Sequence, residues 1–248
     1  MAERLLLDRF TAFYEALAGV KQALADGRLA AFLARDGQEP ARDPVELAAA
    51  LSGYLRQFLE NQAKEVRDVS TETVCKAYRM AQFVMAALAD ELLLLEVNWE
   101  GREAWLHFLL EQKLFRTSSA GEKFFSFAEA LIESQARDRL RRDLACVFLL
   151  ALKLGFQGQY RGRQGAAERD QLRRRLLQFI NAGRRDTADA EPMFAQAYQY
   201  LLSEKEQSRL APMRRWYRWG GIALLVYLLL STGVWMTAVY SFTHSLGQ

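Results

Sequence analysis

The segment VCKAYRMAQFVMAALADELLLL, residues 74–95, decides the fold class. Its apolar side chains recur alternately four and three residues apart, the spacing of one face of an α-helix. This stripe consists of Val74, Tyr78, Ala81, Met85, Leu88, Leu92 and Leu95. The opposite side carries Phe83, Ala87 and Leu94, so the helix is apolar nearly all round. Such a helix belongs at the centre of a helical bundle.

The composition of the chain extends this helical prediction to the whole protein. Its 248 residues include 39 Leu and 36 Ala but only 11 Val and 3 Ile, and residues 45–191 contain no proline. Leu and Ala favour helices, whereas β-branched residues favour strands. A hydrophobic content of 51% with a formal charge of +3 excludes intrinsic disorder. We therefore predict an all-α protein.

Helix starts and stops divide the N-terminal part of the chain into seven or eight helical segments. Pro44 after Asp43 has the pattern of a capped helix start, and Gly183 is expected to end a helix. The other predicted segments cover residues 4–34, about 70–97, a fourth helix containing Trp105, Leu109 and Leu114, 124–134, about 137–154, 166–182 and 193–210.

Two adjacent carboxylates interrupt the apolar central helix. Asp90 points into the face formed by Phe83, Ala87 and Leu94, and Glu91 lies between the two faces. A carboxylate among apolar side chains is costly unless it is paired or hydrogen-bonded. Two interpretations follow: Asp90 caps a neighbouring helix or pairs with a cation, or it is an acid in a cleft that receives a partner.

The C-terminal sequence has the properties of a membrane anchor. Residues 219–240 carry no charge, and as a helix they span roughly 33 Å, against about 30 Å for a bilayer core. Cations precede this stretch and none follows, so the positive-inside rule places the N-terminal region in the cytoplasm. The flanking residues are Arg214, Arg215 and Arg218 with Trp216, Trp219, Trp235 and Tyr240. Gly220, Gly221 and Gly233 provide small surfaces for helix packing, although such residues also occur in lone anchors.

The sequence contains no catalytic constellation. The two His residues are His107 and His244, and no metalloprotease, nucleotide-hydrolase or serine-hydrolase motif is present. Cys75 and Cys146 lie in apolar helical patterns, where thiols are inert. We therefore predict no enzyme activity, no catalytic residues, no metal and no cofactor.

A glycine turn and a run of arginines follow the sixth predicted helix. Gly155-Phe-Gln-Gly158 resembles the loop of KH nucleic-acid domains, but without flanking strands a helix end followed by a turn is favoured. The arginines that follow form a solvated helix face, or one that contacts anionic lipid or an acidic partner. Few aromatic residues interleave with them, so no nucleic-acid partner is expected. These arginines are Arg161, Arg163, Arg169, Arg173, Arg174, Arg175, Arg184 and Arg185.

Five phrases in order resemble one protein family. They are ADEL at 89–92, LEQKLF at 110–115, AGEKFF at 120–125, LKLGFQGQYR at 152–161 and RLAP at 209–212. Together with a single C-terminal membrane helix, they make the chain similar to the DotU/TssL family (also called IcmH/DotU), an inner-membrane subunit of type VI secretion systems. The resemblance covers the whole chain.

The resemblance implies a structural role in a trans-envelope complex. It implies a hook-like cytoplasmic domain of two small helical bundles, association with TssM and TssJ, docking of the tail baseplate through TssK, and self-association. Carried onto this sequence, Asp90 and Glu91 match the acidic pair of the family and are candidate partner-binding residues in a cleft. The glycine–aromatic turn of the family falls on Gly155, Phe156, Gly158 and Tyr160.

These expectations define four regions and leave three alternatives open. The regions are a cytoplasmic helical-bundle domain (1–183), a connector with a juxtamembrane helix (184–215), a single-pass inner-membrane anchor (216–241) and a short periplasmic tail (242–248). The alternatives are the equivalent DotU subunit of a type IVB secretion system, a tail-anchored adaptor that senses lipid, and a tail-anchored enzyme at the inner membrane surface, which the lack of a catalytic constellation disfavours.

Overall fold

The computed structural model describes residues 5–34, 41, 43–134 and 138–185. Within these ranges the chain forms nine α-helices, one π-helical turn (Leu92–Glu96) and one 3-10 turn (Gly158–Tyr160), and no strand. The all-α prediction is confirmed for this part of the chain. The helices are α1 (Leu5–Ala25), α2 (Leu29–Leu33), α3 (Pro44–Val69), α4 (Glu72–Glu91), α5 (Arg102–Trp105), α6 (Leu110–Phe115), α7 (Ala120–Glu133), α8 (Arg139–Lys153) and α9 (Ala166–Arg185).

Helix α4 is the central element, as its apolar pattern predicts. Every residue from 81 to 93 is buried. The helix packs against α1, α3, α6, α7 and α8, so along residues 81–91 the side chains on all of its faces are removed from water. Helix α9 packs on α8 and α7, and α5 packs on α3.

The predicted apolar stripe ends before Leu95, whose side chain is 40% exposed. The expectation that Leu95 continues the buried stripe is wrong because the last turn of the helix is a π-helix, Leu92–Glu96. A π turn has i→i+5 hydrogen bonds, so it takes up more residues than an α turn and shifts the later side chains around the axis. The carbonyl groups of this turn are bonded by side chains: the Trp99 indole donates to Leu93 and Arg102 donates to Leu94.

Several helix boundaries match the sequence prediction and others differ. The start at Pro44 is confirmed, since the Asp43 carboxylate accepts a 2.7 Å hydrogen bond from the Glu46 amide. The segment 4–34 is two helices, α1 and α2, separated at Gly27, where φ is +66°. The end predicted at Gly183 is wrong because α9 continues to Arg185. A glycine weakens a helix by only about 1 kcal/mol, which packing on α8 offsets.

The N-terminus of α1 is held by a carboxylate from α8. Asp143 is buried, and its Oδ2 accepts hydrogen bonds from the amides of Leu6 (2.8 Å) and Leu7 (3.4 Å). The first amides of a helix have no partner within the helix, so an acidic side chain satisfies them and complements the helix dipole. Asp143 therefore joins two helices that are distant in the sequence.

The chain divides into two compact units, Met1–Asp189 and Ala190–Gln248, and all described residues belong to the first. Among the described residues, no helix combines the length and apolarity needed to cross a bilayer. The predicted anchor at 216–241, its flanking residues, its packing glycines and the tail lie outside the described residues. The two-bundle, hook-like arrangement and the four-region division remain predictions.

Gly53 in α3 provides a first test of the helical core. A Cβ atom at this position meets no other atom within 4 Å, and the residue lies in the interior of a helix. We expect Gly53→Ala to raise the free energy of unfolding by about 0.5–1 kcal/mol, because alanine loses less backbone entropy than glycine. Denaturant unfolding of the full chain in mild detergent measures the change. A loss of stability would show that α3 is strained or covered at this point.

Candidate functional site

Asp90 caps a neighbouring helix from within the core. Its side chain is only 7% exposed. Oδ1 accepts hydrogen bonds from the Leu110 amide (2.9 Å) and the Trp105 indole (3.2 Å), and Oδ2 accepts one from the Glu111 amide (2.9 Å). The two amides belong to the first turn of α6, whose N-terminal dipole favours a negative charge. Of the two interpretations of Asp90, the capping one describes this geometry.

Glu91 holds the glycine–aromatic turn, residues 155–160. Oε1 accepts hydrogen bonds from the Gln157 amide (2.9 Å) and the Arg161 guanidinium (2.7 Å), and Oε2 accepts one from the Gly158 amide (3.0 Å). The Glu91 side chain is 7% exposed, whereas that of Arg161 is 43% exposed. The acidic pair and the glycine–aromatic turn are therefore in direct contact, although about 65 residues separate them in the sequence.

Consecutive residues of a helix point about 100° apart, which explains why two adjacent carboxylates hold two different segments. Asp90 fixes the segment from Trp105 to Glu111, and Glu91 fixes the turn after α8. Both segments are thereby attached to α4, whose residues 81–91 are all buried. The acidic pair joins two surface segments to one rigid central element.

The aromatic residues of the turn pack against α7. Phe156 is buried, with its ring centroid 4.2 Å from that of Phe124. The Tyr160 ring meets Phe125 edge-on at 4.6 Å. Gly158 has φ +49°, and a Cβ atom there would lie 2.6 Å from the Gly121 carbonyl oxygen. The turn therefore needs glycine at position 158 for both conformation and space.

Glu111 is a third carboxylate that holds the start of a helix. The sequence does not identify it as such. Its Oε1 accepts hydrogen bonds from the Thr117 hydroxyl and the Ser119 amide, just before α7 begins at Ala120. Asp90 thus holds the start of α6, and Glu111 on α6 holds the start of α7. The only sequence signal was the run Thr117-Ser-Ser, which predicts a helix start without identifying a distant carboxylate as its partner.

Burial is the main influence on the acidity of the pair. Desolvation raises the pKa of Asp90 to about 7, against the lowering effect of the Glu111 and Leu110 amides. The nearby Glu111 carboxylate raises it further, and the Trp105 indole lowers it. Desolvation also raises the pKa of Glu91, while the Gly158 and Gln157 amides and Arg161 lower it. In both residues the cost of burying a charge exceeds the gain from hydrogen bonding.

The raised pKa of Asp90 gives a pH dependence of definite sign. Above pH 3.8, the ordinary pKa of an Asp side chain, the unfolded chain loses the Asp90 proton, whereas the folded chain keeps it until about pH 7. The stabilisation from the protonated carboxyl group is therefore complete below pH 3.8 and is lost as the pH rises through about 7. At about 1.4 kcal/mol per pKa unit, we expect the wild-type chain to lose about 2–3 kcal/mol more than Asp90→Asn between pH 5 and pH 8. Parallel denaturant-unfolding curves at the two pH values measure this difference. Equal pH dependence in both chains would contradict it.

Much of the predicted arginine face is used within the domain. Arg161 bonds Glu91, Arg169 donates to the carbonyl oxygens of Tyr160 and Gly162, and Arg173 bonds Asp170 and the Leu152 carbonyl. Arg175 lies 3.7 Å from Glu129. Arg161, Arg169 and Arg173 thus stabilise the segment between α8 and α9, and Arg175 pairs α9 with α7, which is a different role from a free cationic surface for lipid.

No group of three or more His, Cys, Asp or Glu side chains in the described ranges is arranged to hold a metal ion. Cys146 is buried and Cys75 is half-buried. The oxygens of the acidic pair accept hydrogen bonds from the chain itself, so they do not form an open ligand set. The chemistry of this site is hydrogen bonding that fixes the positions of loops.

The fold and the site define an all-helical domain whose buried carboxylates organise surface segments on a central helix. A comparison with protein-family models matches the chain over residues 22–241 to "Type VI secretion system protein DotU". The chain belongs to the DotU family, a family of structural secretion-system components and not of enzymes. Comparisons with curated proteins and with solved structures give no match.

Proposed function

We propose that the chain is the inner-membrane subunit of a type VI secretion trans-envelope complex, with its helical domain docking the cytoplasmic baseplate. The observation that carries the proposal is the family match over residues 22–241, which covers most of the helical domain and all of the predicted anchor at 216–241. In this proposal residues 216–241 cross the inner membrane once, with the N-terminal domain in the cytoplasm and the tail in the periplasm. The arginines before the anchor support this orientation.

The proposed partners are a TssM-like inner-membrane protein, a TssJ-like lipoprotein reached through the complex, and a TssK-like baseplate component. A single helix offers little surface for transmitting force, so lateral association through Gly220, Gly221 and Gly233 is part of the proposal. No enzymatic step is required for this role.

The acidic pair supports docking indirectly in this proposal. Asp90 and Glu91 are both almost fully buried, and their oxygens already accept hydrogen bonds from the chain. A partner therefore meets the segments that the pair holds, which are the surface around residues 105–111 and the turn at 155–160. The partner-binding role predicted for the pair becomes a positioning role.

The test is purification of the tagged full-length chain from its native envelope in mild detergent, followed by mass spectrometry. Co-purification of a large membrane protein, a lipoprotein and tail baseplate components is the expected result. Partners from a type IVB system would move the assignment to that machine. Recovery of the chain alone would contradict the proposal and favour the lipid-sensing adaptor.

A further inference from the structure

We propose that one end of the described domain, residues 43–46 and 94–107, is a docking surface for a cationic amphipathic helix of another protein. We call this region the acidic end. The inference deepens the proposed docking role by giving the chemistry of one partner segment. It rests on three features of the region: exposed apolar side chains, a negative charge, and a backbone held by hydrogen bonds to buried groups.

The apolar side chains of the acidic end are unusually exposed. Five large hydrophobic residues of the described chain are exposed, and three of them belong to this region: Val45 (55%), Leu95 (40%) and Leu106 (52%). The other two are Phe32, whose ring packs on Tyr54, and Val69, in the last turn of α3. Because the segments that carry these three residues pack against one another, we infer that they form a binding surface.

Local contacts bring these segments to the same end of the domain. The start of α3 approaches the turn before α5, since a Cβ atom on Gly101 would lie 2.9 Å from the Pro44 carbonyl oxygen. Arg102 donates a 2.6 Å hydrogen bond to the Leu94 carbonyl. Leu106 follows Arg102 by four residues and has helical backbone angles, so it lies on the side of α5 that faces the π turn.

The charge of the acidic end indicates the chemistry of the partner segment. Its segments contain the carboxylates Asp43, Glu46, Glu96, Glu100 and Glu103 and a single arginine, Arg102, in a chain whose formal charge is +3. Arg102 keeps its positive charge, since its Nε atom bonds a neutral carbonyl group, so the five carboxylates and one arginine give these segments a formal charge of −4. The Glu96 carboxylate lies beside Gly155, whereas Glu100 and Glu103 are exposed in the same segment as Leu95 and Leu106. These exposed carboxylates complement a helix with apolar residues on one side and Lys or Arg beside them. The same charge disfavours anionic lipid and a symmetric contact with a second copy.

The backbone that presents Leu106 is fixed by the buried site. Asp90 bonds the Trp105 indole on one side of Leu106 and the Leu110 and Glu111 amides on the other. The Trp99 indole anchors the preceding turn to the Leu93 carbonyl. A surface held in this way loses little conformational entropy on binding, which favours affinity.

The test is photo-crosslinking of the full-length chain in its native envelope, with a benzophenone amino acid replacing Leu106. We expect a crosslink to one protein, mapped by mass spectrometry to a segment with apolar residues three or four apart and adjacent Lys or Arg. The double variant Glu100→Lys/Glu103→Lys should reduce the yield by about tenfold or more. The control, Glu15→Lys/Glu133→Lys, makes the same charge change at exposed positions outside the acidic end and should leave the yield unchanged.

Several results would overturn the inference. They are no protein crosslink at position 106, a crosslink to lipid or to another copy of this chain, a partner segment without Lys or Arg, and a yield that is insensitive to the reversal of Glu100 and Glu103. A crosslink to a cationic helix from a protein outside any secretion assembly would support the acidic end as a docking surface and contradict the proposed function.

Discussion

Replacing Asp90 with alanine should lower the free energy of unfolding of the full chain by about 3–5 kcal/mol at pH 6. The substitution leaves the Trp105 indole and the Leu110 and Glu111 amides without their acceptor in the core. Each buried donor left unsatisfied costs about 1–3 kcal/mol, and partial relaxation of the loop reduces the sum. Chemical denaturation in mild detergent, followed by far-ultraviolet circular dichroism, measures the loss.

Two further variants test whether the loss of stability comes from the missing hydrogen-bond acceptor at position 90. Asp90→Asn keeps one carbonyl oxygen, which can accept from the Trp105 indole and the Leu110 amide, so its loss should be smaller than that of alanine. Glu103→Ala, at an exposed position of nearby α5, should change stability by less than about 0.5 kcal/mol. A loss below about 1 kcal/mol for Asp90→Ala would show that the segment does not depend on this carboxylate, and would remove the positioning role proposed for it.

The contacts of the acidic pair change how a loss of function at these positions should be interpreted. A carboxylate that is 7–8% exposed and bonded to backbone amides is removed from partner contact, yet its removal displaces the segments it holds. Loss of docking in an Asp90 or Glu91 variant should therefore be accompanied by loss of stability. Substitution of the exposed Leu106 should affect docking alone.

The sequence predicts the helical class and the central helix because local periodicity encodes both. Residues 81–93 are apolar except for Gln82 and the acidic pair, so the helix has apolar side chains on every face. Such a helix is expected to be buried. The start of α3 is equally local, since Asp43 and Pro44 act within one turn of their own helix.

The elements that the sequence does not predict are those fixed by distant residues. One helix was expected through Trp105, Leu109 and Leu114, but α5 and α6 are separate because Leu109 is extended and Asp90 caps the helix that follows. The π turn depends in the same way on bonds from Trp99 and Arg102. The pattern of apolar residues carries no information about such capping groups from other parts of the chain.

The connections within the candidate site are not apparent from the sequence. The family resemblance singled out the acidic pair and the glycine–aromatic turn as separate motifs. The structure shows that Glu91 bonds the turn directly, and that Glu111 within another quoted phrase holds the start of α7. Three of the five phrases are thus tied together by carboxylate–amide bonds from Asp90 and Glu91 of the central helix.

Gly158→Ala should be the most damaging single substitution in the glycine–aromatic turn, with a loss of about 3–4 kcal/mol in the free energy of unfolding. The new Cβ would lie 2.6 Å from the Gly121 carbonyl oxygen and 2.9 Å from the Phe125 ring, so α7 or the turn must move. The left-handed backbone adds about 1–2 kcal/mol for an L-residue. Movement also lengthens the hydrogen bond from the Gly158 amide to Glu91, which couples the loss to the central helix.

Gly162→Ala is the matched control for this prediction. Gly162 also has a positive φ, +80°, but a Cβ atom there meets nothing within 4 Å, so the variant tests backbone strain without collision. We expect a loss of about 1–2 kcal/mol for Gly162→Ala, clearly less than for Gly158→Ala. Equal losses would mean that strain alone explains glycine at position 158. A larger loss at Gly158, with weaker co-purification of baseplate components, would tie the close approach of the turn and α7 to docking.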